Sequence, residues 1–345
     1  MLEKQLIDDF DSRFREFMDE VGGNVRLIRK EPSPRGPDVL IEAEVRGQPI
    51  TLIAEAKAQG EPRYIRAAAD QLRDYLTRFP GAYPMVVSPF ISAQSADLLK
   101  SKGVGYFDLA GNAMIDFGPL YIRVAGKPAR HRVQKTAKSL FAAKSSRILR
   151  VLLADPAKSW YVQDLSTEAG VSMGLTSRVK RRLSDFELVA QAKRGVKLAN
   201  PGELLNQWAK AYRYDKNDIL RYYSPQPLPE IESRVSEFAQ SRGVAYALTM
   251  FSGAARIFPF VRFNFAAFYL SGSPLELEPA LQMKPTSSGA NVWVFRPFDE
   301  GVYYGLQNRD GISVVSNIQL YLDLINFPGR GEEQANAIRE RLLRY

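Results

Sequence analysis

A segment near the middle of the chain, Leu165–Val189, constrains the fold most. Its apolar residues recur every three to four positions, as on the buried faces of two successive helices. Gly170 lies between the two runs, where a helix-turn-helix needs a residue that tolerates a left-handed backbone angle. The positions expected to face the core are Leu165, Ala169, Val171, Leu175, Val179 and Leu183.

The flanking residues extend this motif to a winged helix-turn-helix centred on residues 144–200. Ser145–Leu153 is predicted to be its first helix, Val162–Ala169 its second, and a third runs from Ser172 to Ser184. Phe186–Val189 and Val196–Leu198 are the expected strands of the wing, which has Lys193 and Arg194 at its tip.

The outer face of the third helix carries polar and basic residues, the composition of a helix that enters the major groove of DNA. We expect Ser172, Met173, Thr176 and Ser177 near bases, and Arg178, Lys180 and Arg181 on the basic face that reaches phosphates. Lys193 and Arg194 would contact an adjacent groove or the backbone. Winged helices also serve as protein-binding modules, and in that alternative the basic residues are a solvated face.

The distribution of charge favours double-stranded DNA as the partner. The formal net charge is +9, and no acidic residue occurs between Asp116 and Asp155. A basic block of this kind attracts polyanions by counterion release and long-range attraction. Its basic residues include Lys127, Arg130, Arg132, Lys135, Lys138, Lys144, Arg147 and Arg150.

The composition excludes several kinds of site. The chain has no cysteine and one histidine, His131, so thiolate or multi-histidine metal sites are absent. A Ser–His–Asp triad would have to use His131, which lies between two arginines, a poor setting for an oriented imidazole. The charged N-terminus and the lack of a long apolar run predict a soluble, cytoplasmic protein with no membrane segment.

We predict a multidomain chain of mixed α/β and α+β class. An α/β domain spans residues 1–125, and a basic linker spans 126–140. The winged helix-turn-helix spans 141–214, and an α+β domain spans 215–345. The strands predicted in that last domain are Tyr246–Phe251, Val261–Tyr269, Asn291–Phe295 and Val302–Leu306, followed by helices Asn317–Ile325 and Glu332–Leu343.

The N-terminal domain has a set of residues that resembles the PD-(D/E)XK nuclease signature. Asp38 opens one predicted strand, and Glu55 and Lys57 close the next, two positions apart and therefore on one face. The two carboxylates are the candidate ligands of a magnesium ion, and Lys57 would polarise the attacking water. Gln71, on the following helix, matches an auxiliary polar position of some members, and Glu16 or Glu20 is a candidate further ligand. The resemblance implies a restriction-endonuclease-like fold for residues 1–125.

Structural roles remain open for two of these segments. Glu55 and Lys57 equally fit an ion pair that stabilises the fold without any catalysis. The segment Gly105–Ala113, GYFDLAGNA, is read as a strand followed by a tight turn, in preference to a site.

Taken together, the chain resembles the AbiEi-like transcriptional regulators, the antitoxins of type IV toxin–antitoxin systems. Better-studied members carry the winged helix at the N-terminus, whereas here it is central. The resembling segments are Ile53–Lys57, Gly103–Ala113, the winged helix with Leu205–Tyr212, Ser316–Asn326 and Gly329–Glu333.

The resemblance implies a repressor of its own operon, with a nucleotidyltransferase-like toxin encoded alongside. Two other functions remain open at this point. One is a magnesium-dependent DNA endonuclease that the winged helix directs to its target, and the other is a scaffold whose winged helix binds protein.

Overall fold

The computed structural model describes residues 3–31, 36–117, 120–128, 140–190 and 195–345. The chain divides into two compact units. One comprises Met1–Ala137 with Arg182–Glu187, and the other Lys138–Arg181 with Leu188–Tyr345. Across the described ranges, no helix combines the length and the apolar character that a membrane crossing requires.

The first unit is a seven-stranded sheet with helices on both faces. Its helices are α1 (Glu3–Glu20), α2 (Pro62–Leu76) and α3 (Ala93–Ser101). Its strands are β1 (Gly23–Lys30), β2 (Val39–Val45), β3 (Gln48–Ala56), β4 (Tyr83–Ser88), β5 (Gly105–Asp108), β6 (Ala113–Phe117) and β7 (Leu120–Val124). The strands lie in chain order, and the pairs β3–β4 and β4–β5 are parallel while the other pairs are antiparallel.

The two faces of this sheet bury different sets of apolar residues. On one face, Phe10, Phe14 and Phe17 of α1 surround the ring of Phe107 on β5 at centroid distances of 5.3–5.6 Å. On the other face, α2 and α3 bury residues such as Leu72 and Leu99. Because β3, β4 and β5 are parallel, their carboxyl ends meet at one edge of the sheet.

After residue 140, the chain forms three helices where the sequence predicts them. They are α4 (Ala143–Ala154), α5 (Val162–Glu168) and α6 (Met173–Asp185), which we call the trihelical segment. After them, the expected wing strands are reduced to two isolated antiparallel bridges, Trp160–Val196 and Val189–Leu198. The wing-tip residues Lys193 and Arg194 lie outside the described residues.

The rest of the second unit is built on a second seven-stranded sheet. Its strands, in the order β11-β8-β12-β10-β9-β14-β13, are β8 (Asp218–Tyr223), β9 (Tyr246–Leu248), β10 (Ala266–Leu270), β11 (Lys284–Pro285), β12 (Val292–Arg296), β13 (Gln307–Arg309) and β14 (Ile312–Val314). Its helices are α7 (Pro201–Ala211), α8 (Leu228–Arg242), α9 (Met250–Ile257), α10 (Glu278–Leu281), α11 (Asn317–Ile325) and α12 (Gly331–Ile338), and a π-helical turn, Arg339–Leu343, follows α12.

Three predicted strands of the C-terminal region are wrong in part or in whole. The strand predicted over Val261–Tyr269 begins only at Ala266. The strand predicted over Tyr246–Phe251 ends at Leu248, and Met250 begins α9 instead. The strand predicted over Val302–Leu306 is absent, since Glu300–Tyr303 is a short 3-10 helix. Asp299 causes this turn, because its carboxylate accepts a hydrogen bond from the Gly301 N–H at 2.7 Å.

A buried polar network joins the trihelical segment to the second sheet. Arg150 of α4 is 2% exposed, stacks on Trp208 of α7 and donates to Gln319 of α11 at 2.5 Å. Gln319 in turn donates to Asp323, at 2.8 Å. Asp323 also accepts from Tyr212, Thr249 and Tyr269.

This network changes the interpretation of the basic block in the sequence. Arg150 is buried, and Arg147 forms a two-pronged hydrogen bond with Asp299 at 2.8–3.1 Å. Both side chains therefore hold the unit together and are not free to contact DNA. Residues 129–139 of the basic block, including His131, lie outside the described residues.

Candidate functional site

The turn between α5 and α6 has the geometry that its sequence predicts. Gly170 has a φ of +61°, and the next N–H, that of Val171, bonds back to the Ser166 carbonyl. Ser172 precedes α6, and its hydroxyl accepts from the Leu175 N–H at 3.3 Å. These bonds fix the angle at which α6 leaves the turn.

One face of α6 is anchored in the core. Val179 is 3% exposed, and Leu183 is fully buried. Thr176 was expected near bases, but its side chain is also fully buried, and its hydroxyl donates to the Ser172 carbonyl at 3.2 Å. Thr176 therefore belongs to the anchoring face, because a backbone carbonyl of its own helix satisfies its polar atom.

The opposite face of α6 is open to solvent and lacks negative charge. Ser172, Met173, Ser177, Arg178 and Arg181 are exposed there, and Lys180 is half-buried at the border. No acidic residue occurs between Glu168 and Asp185. Among the described residues, none forms a salt bridge with Arg178, Lys180 or Arg181. The face thus offers cations, hydroxyls and one exposed thioether to a partner.

A second cluster lies in the first unit, at the carboxyl edge of the parallel strands. The antiparallel register pairs Val39 with Ala54, which places Asp38 opposite Glu55. The Asp38 carboxylate accepts from the Ala56 N–H at 2.8 Å. Lys57 donates to Glu55 at 2.8 Å, and the Glu55 side chain is only 3% exposed.

The charges in this cluster influence one another. Burial raises the pKa of Glu55, and the facing charge of Asp38 adds to the rise, while Lys57 opposes it. Burial alone would lower the pKa of Lys57, but the hydrogen bond and charge of Glu55 raise it overall. The structure therefore brings two carboxylates and one ammonium together at a single edge.

The neighbours of this cluster differ from those expected. Gln71 is exposed on α2 and makes no hydrogen bond to these residues within the described ranges. Burial raises the pKa of the Tyr75 hydroxyl, one turn further along α2, and the charges of Glu55 and Asp38 add to that rise. On α1, the charge of Glu3 adds to the rise in the pKa of Lys57.

Asp108 and Asn112, at the end of β5, form a closed hydrogen-bonded turn. Asp108 is fully buried and accepts from the Ile91 N–H and from both the N–H and the side chain of Asn112. Asn112 in turn bonds the backbone of Lys127 through both its side-chain atoms. These bonds satisfy the side-chain polar atoms of Asp108 and Asn112 within the fold, as expected if the segment is a strand followed by a tight turn.

The comparison with known protein families gives one match. Residues 197–344 match the family model described as "Transcriptional regulator, AbiEi antitoxin, Type IV TA system". The C-terminal part of the chain is similar to that family. The matched residues include α7 and the whole second sheet but not the trihelical segment or the first unit. Neither the curated proteins nor the solved structures contain a significant match to the chain.

Proposed function

We propose that this protein is a DNA-binding transcriptional regulator of the AbiEi antitoxin kind, which binds duplex DNA through α6 and represses its own operon. The observation that carries the proposal is the exposed face of α6, where Arg178 and Arg181 form no salt bridge with any residue that the structure describes. Cations held on a rigid helix gain binding free energy by releasing the counterions of DNA phosphates. The family match supports the regulatory role.

The partner implied by that family is a toxin, and we propose a nucleotidyltransferase-like toxin encoded alongside. The matched residues 197–344 form the part of the chain where this pairing would be sought. Co-expression of the neighbouring gene tests it: growth arrest by the gene alone, relieved by this chain, supports the pairing. Growth arrest that this chain does not relieve argues against it.

The DNA-binding proposal is tested by fluorescence anisotropy on the duplex upstream of the gene, at several salt concentrations. The double variant Arg178→Ala/Arg181→Ala should weaken binding and reduce the slope of log affinity against log salt by about 1.8, or about 0.9 per phosphate contact. Lys284→Ala/Arg309→Ala is a control with the same change in charge, at exposed positions outside α6. Equal slopes for both double variants would contradict a DNA-binding role of α6.

A second candidate function rests on the cluster of Asp38, Glu55 and Lys57. Mg²⁺ often binds through one or two carboxylates and keeps several waters, so Asp38 and Glu55 suit it chemically. The ion would activate a water and offset charge on phosphate, and Lys57 would stabilise the same charge. The family match supports the regulator and does not reach this cluster, so the Mg²⁺-dependent DNA endonuclease is the second candidate.

Incubation of the full chain with supercoiled and linear DNA, with and without Mg²⁺, tests the second candidate. Cleavage should require Mg²⁺ and should be lost in Asp38→Asn and in Glu55→Gln. Asp74→Asn, at an exposed position on α2, is the matched control and should cleave as the unaltered protein does. Intact DNA in every reaction would exclude this function for the substrates used.

A further inference from the structure

Gly174, the second residue of α6, has no role inside the protein that requires a glycine. Its φ lies in the ordinary range, and a Cβ atom added to it would meet nothing within 4 Å. Glycine makes the free energy of helix formation less favourable than alanine does, and no packing contact inside the protein explains why a glycine is kept here. A glycine of this kind is typical of places where another molecule approaches the backbone closely.

Met173, the residue before it, is an exposed apolar side chain on the same open face. It is 54% exposed at the first position of α6, and Ser177 follows one turn later on that side of the helix. The segment 172–177 contains no Arg, Lys, Asn or Gln, the side chains that make two-pronged bonds to guanine or adenine. Apolar contact is the remaining strong means of recognition at this end of the helix, and the major groove presents one apolar group, the thymine methyl.

We propose that the first turn of α6 reads a thymine in the major groove: Gly174 lets the helix backbone approach the base edges, and Met173 packs on the thymine C5-methyl group. The proposal rests on the proposed function, since it requires that α6 enters duplex DNA. It adds the chemical class of the target, a site whose recognition depends on a thymine methyl, and it assigns Met173 as a specificity-determining residue. Arg178 and Arg181, in the following two turns of the helix, supply affinity for phosphates that does not depend on sequence.

The first experiment identifies the target. The full-length protein selects binding sites from a random-sequence duplex library, and the selected duplex is then made with deoxyuridine at each thymine in turn. Deoxyuridine keeps every hydrogen-bonding group of thymine and removes the methyl group alone. At one position the replacement should weaken binding about fourfold, the value expected for loss of one buried methyl-sized group.

The second experiment assigns that methyl group to Met173 by a double-mutant cycle. Met173→Ala should weaken binding to the thymine duplex, and the deoxyuridine replacement should then have no further effect, because the two changes remove one shared contact. Leu275→Ala, at another exposed apolar side chain of the same unit, is the control and should keep the full fourfold effect. A fourfold effect that persists in Met173→Ala would overturn the assignment.

Gly174→Ala separates a binding role from a structural one. Alanine should raise the midpoint of thermal unfolding, because it favours the helix and has free space around it, while DNA binding weakens at least tenfold. Unchanged or stronger binding would overturn the close-approach role of Gly174. If the unaltered protein retains no duplex at low salt, the proposed function itself fails. If it binds duplexes regardless of sequence, and neither Met173→Ala nor Gly174→Ala changes that binding, only this inference is refuted.

Discussion

Replacing Asp323 by alanine tests how strongly the buried network stabilises the second unit. The carboxylate is fully buried and accepts from Tyr212 at 2.6 Å, Thr249 at 2.5 Å, Tyr269 at 3.0 Å and Gln319 at 2.8 Å. Alanine would leave these donors without that acceptor. If hydroxyl rotation rescues about half of them, two remain unsatisfied at about 1–2 kcal/mol each.

Burial raises the pKa of Asp323, and the hydrogen bonds that its carboxylate accepts oppose that rise. Asp323 is one of the groups whose charge favours the protonated form of the buried Arg150, against a desolvation that lowers the pKa of Arg150. Removing one partner of a buried charged network typically costs about 3–5 kcal/mol, in agreement with the hydrogen-bond estimate. For a unit of this size, that corresponds to a fall of roughly 6–20 °C in the unfolding midpoint.

Differential scanning calorimetry of the full chain measures this fall. Glu237→Ala is a control on the same unit, because Glu237 is exposed on α8 and takes part in no salt bridge within the described residues. It should shift the stability by less than about 0.5 kcal/mol. If Asp323→Ala costs no more than this control, the network does not stabilise the unit and the reasoning is refuted.

Three further predictions concern single contacts. Arg147→Ala should lower the free energy of unfolding by about 1–2 kcal/mol, since it removes a charged two-pronged hydrogen bond to Asp299, which is 7% exposed. An unchanged midpoint of urea unfolding would contradict this. Burial raises the pKa of Glu232 above its ordinary 4.5, so stability should fall as pH rises through the raised pKa, and Glu232→Gln should flatten that part of the pH–stability curve. Asn112→Ala should cost about 2–4 kcal/mol and speed amide exchange at Ile91, because it breaks the buried turn built on Asp108; exchange as slow as in the unaltered protein would count against that role.

The sequence predicts best those elements whose signals are local. The helices of the trihelical segment follow from apolar spacing and from Gly170, whose positive φ the turn requires. The start of α3 depends on an equally local contact, because the Ser92 hydroxyl accepts from the Ser95 N–H three residues later. By contrast, β1 carries a weak alternation of buried and exposed residues, since it is an edge strand, and the sequence did not indicate it.

Features set by distant residues could not be predicted in this way. The sequence around Arg150 has the composition of a DNA-binding block. The burial of Arg150 depends on its hydrogen bond to Gln319, which lies 169 positions away. Asp38, Glu55 and Lys57 were singled out by their spacing, and the antiparallel register of β2 and β3 brings them together. Tyr75 and Glu3 carry no such spacing signal. It is the packing of α1 and α2 on the sheet that brings the charge of Glu3 and the hydroxyl of Tyr75 near the cluster.

The position of α4 argues that the trihelical segment does not fold independently of the C-terminal sheet. Arg147 and Arg150 of this helix bond to Asp299 and Gln319, both far beyond the expected domain boundary at residue 214. A fragment that ends there would retain Arg150 without Gln319 and would expose the apolar surface that α11 covers, at a cost of several kcal/mol. We therefore expect residues 140–214 alone to show no cooperative thermal transition by circular dichroism, whereas residues 138–345 should show one. A cooperative transition in the short fragment, together with DNA affinity equal to that of the full chain, would refute this coupling.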